Sequence, residues 1–135
     1  MKTLIVVISL IMSMTTFSQL EVTTSESKVL YQNIYNNKLV EFNANGHTFY
    51  SLYYRDSKYQ YIVDIKYIPF DNIEEVNQFI DLSEKVLETK ERFSTSSYSL
   101  SKTMGTVLVI GKDGGTFYMT KAILAKLKES LIKEE

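Results

Sequence analysis

The stretch from Lys38 to Ile68 limits this chain more than any other feature. KLVEF, HTFYSLYY and KYQYIVDIKYI are dense in β-branched and aromatic side chains, and Asn45-Gly46 and Arg55-Asp56-Ser57-Lys58 separate them. Such residues fit a pleated, half-buried surface, and Asn-Gly suits a tight turn between twisted strands. Three antiparallel strands are expected. With Tyr54 opposite Tyr59 across the second turn, Leu52 faces Tyr61, Tyr50 faces Val63 and Thr48 faces Ile65, and these collect with Tyr67 on one apolar face. The other face then carries His47, Phe49, Ser51, Tyr53, Gln60, Ile62, Asp64 and Lys66, a mixture suited to water. A strict two-residue turn at Asn45-Gly46 would put Val40 and Phe42 on that wet face. A three-residue loop, Ala44 to Gly46, is therefore expected, with Phe42 opposite Thr48 and Val40 opposite Tyr50.

Upstream, Lys28 to Tyr35 reads as a further strand turning at Asn36-Asn37, although Val29, Leu30 and Ile34 also suit one side of a short helix. Downstream, Pro69 is expected to stop the third strand, and a helix to run from about Asn72 to Arg92, capped by Asp71 with Glu74 at capping-box spacing. Its apolar stripe is Ile73, Val76, Phe79, Ile80, Leu82, Val86 and Leu87; Asp81 with Lys85 and Glu88 with Arg92 pair on the polar side. Ser94 to Ser101, Thr106 to Ile110 and Thr116 to Met119 read as strands. A turn at Asp113-Gly114 would pair Ile110 with Phe117 and Leu108 with Met119. A last helix, capped by Thr120, buries Ile123, Leu124, Leu127 and Leu131 and pairs Glu129 with Lys133. No sequence repeat or linker interrupts the chain. The fold class expected is α+β: an antiparallel sheet of about six or seven strands, a meander then a hairpin, with two helices packed on one face.

The start of the chain points to export. Met1-Lys2-Thr3 gives a short positive region, LIVVISLIM an apolar run, and Ser13 to Ser18 a small, polar stretch, the three parts of a secretory signal peptide. The run is shorter than the roughly 20 apolar residues that a spanning helix needs. Cleavage is expected between Ser18 and Gln19, leaving residues 19–135 as a single domain that is periplasmic or secreted. With no cysteine anywhere, there is no disulfide and no thiol for a lipid anchor. Fifteen basic and sixteen acidic residues are interspersed, net −1, so no basic stripe invites nucleic acid.

Catalytic parts are sparse: one histidine, no metal-ligand pair at a recognised spacing and no nucleophile elbow. GKDGG at Gly111–Gly115 lacks the lysine and serine or threonine that a phosphate loop places after its second glycine, and reads as a hairpin turn. Asp56 and Asp64 would lie too far apart along a strand to share a glycosidic bond. Neither a catalytic residue nor a cofactor or metal is assigned. What invites a functional reading is tyrosine, ten in the chain against no tryptophan. Phe49, Tyr53 and Asp64 on the wet face, with Tyr54, Arg55, Lys58 and Tyr59 around the hairpin tip, form the candidate binding surface.

The opening MKTLIVVISL ending in TFSQ, the meander KYQYIVDIKYIPF and the closing TFYMTKAILAKLKESL resemble small exported proteins of the Bacteroidota. The resemblance implies location and architecture, and no activity. The expected function is that of an exported, non-enzymatic module binding a protein or other macromolecule; the alternatives are a small glycan or ligand binder, or a small hydrolase.

Overall fold

A computed structural model describes residues 26–35, 37–59, 61 and 63–132. The expected leader and its cleavage point, with Asn36, Gln60, Ile62 and Lys133, lie outside the described residues. Strands β1 (Glu26–Gln32), β2 (Lys38–Ala44), β3 (His47–Arg55) and β4 (Ile65–Phe70) form one antiparallel meander, which helix α1 (Ile73–Thr89) follows. Strands β5 (Phe93–Ser94), β6 (Tyr98–Thr103), β7 (Thr106–Gly111) and β8 (Thr116–Met119) form a second, which α2 (Lys121–Ile132) follows. The class is α+β. The strands divide into two sheets of four rather than one of six or seven, because α1 interrupts the run and each set then pairs with its chain neighbours.

Lys28 and its neighbours are strand, while the segment expected as one strand from Ser94 is two. Thr95 makes the break: its N–H donates to Tyr98 O at 2.8 Å, and its hydroxyl accepts from Ser97 N and Tyr98 N at 3.2 Å each. Asn72, not Asp71, caps α1, with Oδ1 accepting from Glu75 N at 2.9 Å while Glu75 Oε2 accepts from Asp71 N at 2.8 Å. The helix stops at Lys90, whose left-handed backbone (φ 62°) turns its N–H onto Val86 O. Thr120 caps α2 as expected, its hydroxyl accepting from Ile123 N at 3.2 Å.

Three strand registers differ from expectation. Asn45 and Gly46, at φ 54° and 77°, form a true two-residue turn, so Phe42 pairs with Phe49 and Val40 with Ser51. The bulged three-residue form occurs instead at Lys112-Asp113-Gly114, where Gly114 takes φ 84° and Gly111 N donates to Gly115 O. That extra residue shifts the pairing by one: Val109 meets Phe117 and Val107 meets Met119, while Leu108 and Ile110 face outward. The largest change is at β4. β3 ends at Arg55 and the next strand starts only at Ile65, so Leu52 pairs with Ile68 and Tyr50 with Phe70. Tyr61, expected inside, is 96% exposed, and Val63, Ile65 and Tyr67 also face solvent. Pro69 lies within β4 because β4 is an edge strand, where a missing N–H costs no ladder bond.

Both sheets turn one face to the helices, and one core results. Leu39, Leu52, Tyr54, Ile68 and Phe70 come from the first sheet, and Tyr98, Leu100, Val107, Val109 and Phe117 from the second. Phe79 of α1 joins them, its ring 5.6 Å from Phe70 and edge-on to Tyr98 at 5.0 Å. Leu124, Leu127 and Leu131 of α2 complete the core as its spacing anticipates. Glu84 reaches across to Lys128 at 3.3 Å, linking the two helices. No helix among the described residues is long and apolar enough to cross a membrane.

The β6–β7 turn carries a testable strain. Met104 sits at φ 50° and is 99% exposed, so it endures a left-handed backbone without any packing return. Met104→Asn is expected to raise stability by about 0.5–1 kcal/mol, read as a higher urea midpoint at unchanged slope.

Candidate functional site

Where β3 ends and β8 begins, the two halves of the chain are stitched together by one carboxylate. Asp56 has no solvent exposure. Its Oδ1 accepts from the backbone N–H of Lys58 and of Thr116, both at 3.1 Å, and its Oδ2 accepts from Lys66 Nζ at 3.0 Å. Ser57 adds two bonds to the same strand: its N–H donates to Thr116 O at 2.7 Å, and its hydroxyl meets that of Thr116 at 2.7 Å. Burial by itself would raise the Asp56 pKa; the Thr116 and Lys58 N–H groups and the Lys66 ammonium outweigh it and hold the carboxyl below its usual range. The same bond raises Lys66.

Tyr54 lies beside this knot, fully buried and stacked on Phe117 at 4.4 Å. Its hydroxyl is 3.3 Å from Gly115 O and 3.5 Å from Asp113 Oδ1. Burial and then the nearby Asp113 charge push its pKa up to about 12, so it remains a proton donor. Gly111 and Gly115 are glycine for closeness here: a Cβ on Gly111 would collide with the Tyr54 hydroxyl, and one on Gly115 would stand 2.5 Å from Lys66 Cδ. Tyr54, expected at a binding surface, is therefore a core residue. The shift of β4 puts Lys66, expected outside, on the inner side of the sheet.

The remaining candidate residues separate into two places. Phe49 and Tyr53 lie on the outward face of the first sheet. Phe49 stacks on Phe42 at 5.2 Å and approaches His47 at 6.4 Å; Tyr53 tilts against Tyr67 at 5.8 Å. Strand register adds Val29, Lys38, Arg55 and Ile65 to that face, and no carboxylate occupies an outward position on β1 to β4. Arg55 and Tyr59 line a cleft of about 470 Å³ between the β1–β2 turn, the loop after β3, β8 and the start of α2, together with Tyr35 and Tyr118. Lys58 is exposed, and its contribution to the knot is its backbone N–H. Asp64 is half exposed and 3.6 Å from Lys66, and precedes β4 rather than lying on the strand face expected for it.

Sequence reasoning passed over Phe42 and Tyr67, which the correct turn lengths would have placed, and Tyr35 and Tyr118, for which no local signal exists. His47 is exposed at a strand end with an aromatic neighbour. Among the described residues no three of His, Asp or Glu gather as a metal site. Comparison of the chain with protein-family models, curated proteins and solved structures finds no match.

Removing the Asp56 carboxylate leaves the Thr116 N–H without its partner and the Lys66 ammonium with only its longer contact to Asp64. Asp56→Ala is expected to cost about 3 kcal/mol at pH 7. Because the folded pKa lies below the unfolded value of about 3.9, this contribution is complete above that value and is lost as pH falls through the folded pKa. Urea unfolding of wild type and Asp56→Asn should therefore show a stability gap at pH 7 that narrows on acidification; a gap constant with pH would contradict the assignment.

Proposed function

We propose that this protein is an exported, non-enzymatic interaction module that docks a macromolecular partner on the outward face of its first sheet. One observation carries the reading: Phe42 with Phe49 and Tyr53 with Tyr67 form two ring pairs on a face that also holds Lys38, His47 and Arg55 and no outward carboxylate. Aromatic side chains and arginine are what protein-binding surfaces concentrate, and depletion of acidic groups on one face of a net acidic chain is a segregation of charge. Export rests on the leader-like start of the sequence, and the Bacteroidota resemblance supports the same location.

The reading against an enzyme is supported by how the acids are used. Asp56, the most enclosed carboxylate among the described residues, has both oxygens committed to hydrogen bonds inside the fold, and Asp64 pairs with Lys66.

A tagged copy expressed from its own leader should begin at Gln19 when recovered outside the cytoplasm. It should retain a stoichiometric partner from envelope extracts, and a Phe49→Ser, Tyr67→Ser double variant of matched melting temperature should lose that partner. Retention of the same partner by the double variant would place the contact elsewhere and overturn the reading.

A further inference from the structure

Strand β8 pairs with β7 alone, and its far edge faces the cleft between the two halves. The turn before it fixes what that edge presents. Gly111 N donates to Gly115 O, so the hydrogen-bonded pairs that follow along this bulged hairpin are Val109 with Phe117 and Val107 with Met119. Thr116 and Tyr118 therefore turn their N–H and C=O groups away from β7. At Thr116 both groups are taken: the N–H donates to Asp56 Oδ1 at 3.1 Å and the C=O accepts from Ser57 N at 2.7 Å, so Asp56 and Ser57 occupy the place of an added strand. At Tyr118, two residues on, neither group has a partner among the described residues. The cleft, about 470 Å³, opens beside it, with Ile34, Tyr35 and Tyr59 on its walls.

We propose that this cleft binds an extended, uncharged peptide segment, which joins β8 as a further strand by pairing its main chain with the Tyr118 N–H and C=O. The segment continues the line that Ser57 begins, since Thr116 and Tyr118 present the same edge about 7 Å apart. A peptide main chain supplies one donor and one acceptor at each such step, which is what an open strand edge accepts. The lack of charge follows from the lining. Asp56 is balanced by Lys66 and two backbone N–H groups, and Arg55 is engaged within the fold. The hydroxyls of Ser57 and Thr120 are likewise spent, on Thr116 and on the Ile123 N–H. The cleft chiefly offers the Tyr118 main chain and the surfaces of Ile34, Tyr35 and Tyr59, which are 88%, 66% and 44% exposed. A sugar or an anion would bring hydroxyls or charge to groups already committed, whereas alternate side chains of a strand lie on these apolar walls. The volume lies within the roughly 300–1,000 Å³ of ligand pockets.

The purified protein is screened against a displayed library of uncharged pentapeptides, and the tightest binder is resynthesised with blocked ends and with each main-chain N–H replaced in turn by N-methyl. That peptide should bind saturably in calorimetry with a Kd below about 1 mM, slow exchange of the Tyr118 amide, and lose at least about tenfold in affinity on N-methylation at one position. Tyr118→Pro deletes the free N–H at an edge position equivalent to that of Pro69 and should abolish binding with circular dichroism unchanged. Tyr35→Ala, at an exposed turn position, decides the matter if that variant does not fold: it should weaken binding about tenfold at the melting temperature of wild type. No library member binding below about 1 mM overturns the proposal. So does a bound peptide that leaves Tyr118 exchange unchanged, tolerance of N-methyl at every position, or wild-type affinity in Tyr35→Ala. Protection of the Tyr118 amide that rises with protein concentration in the absence of peptide would make the occupant a second copy of the chain, and overturns it as well.

Discussion

A single buried carboxylate is the constraint from which the rest of the structure is organised. Each half of the chain makes its own four-stranded sheet from neighbouring strands and could in principle pair without the other. With the apolar core that the halves share, Asp56 opposes that independence by taking one hydrogen bond from its own loop, one from Lys66 of β4 and one from Thr116 at the start of β8. An ionised group so deeply enclosed is tolerable only because every bond is charge-assisted and the ammonium balances it. The adjacent Tyr54, packed over two glycines of the β7–β8 turn, extends the same contact into the apolar core.

The knot also explains the length of the loop that precedes β4. A tight turn after Arg55 would continue β3 directly into its partner and leave Asp56 at an exposed tip. Instead the chain folds Asp56 inward after β3 and begins β4 only at Ile65, with Asp56 N donating to Asp64 O at 2.9 Å. The cost is exposure of Tyr59, Tyr61 and Val63; the return is the junction and, beside it, the tyrosine-lined cleft. The outward face of the first sheet follows from the β2–β3–β4 register, and the knot enters it through the length of the loop that sets β4. The two surfaces meet at Arg55, one rich in paired rings on the first sheet, the other a cleft formed between the halves.

Fold class, the existence of both helices and the inward stripe of α2 were legible because their periodicity is local and unambiguous. The β4 register was not. From Tyr61 to Phe70 both alternations contain apolar residues, Tyr61, Val63, Ile65 and Tyr67 on one side and Ile62, Ile68 and Phe70 on the other, so hydrophobic pattern could not choose between them. Loop length had to decide, and the loop is set by a bond from Asp56 to Thr116, sixty positions away. The two glycine turns show the same limit: Asn45-Gly46 and Asp113-Gly114 both suit either turn form, and each adopts the form expected of the other. Of the candidate surface, Phe49 and Tyr53 were legible from β3 alternation, whereas burial of Tyr54 required knowing that two distant glycines would receive its ring.

Native-state hydrogen exchange tests most directly whether the Asp56 junction makes the two sheets one cooperative unit. The Thr116 amide, which bonds to the carboxylate rather than to another strand, should exchange only through global unfolding, with the same free energy as the amides of Leu52 in β3 and Val109 in β7. Exchange of Thr116 within the local-fluctuation range, with Leu52 and Val109 opening at clearly different free energies, would mean that the halves unfold separately and that the carboxylate is not what joins them.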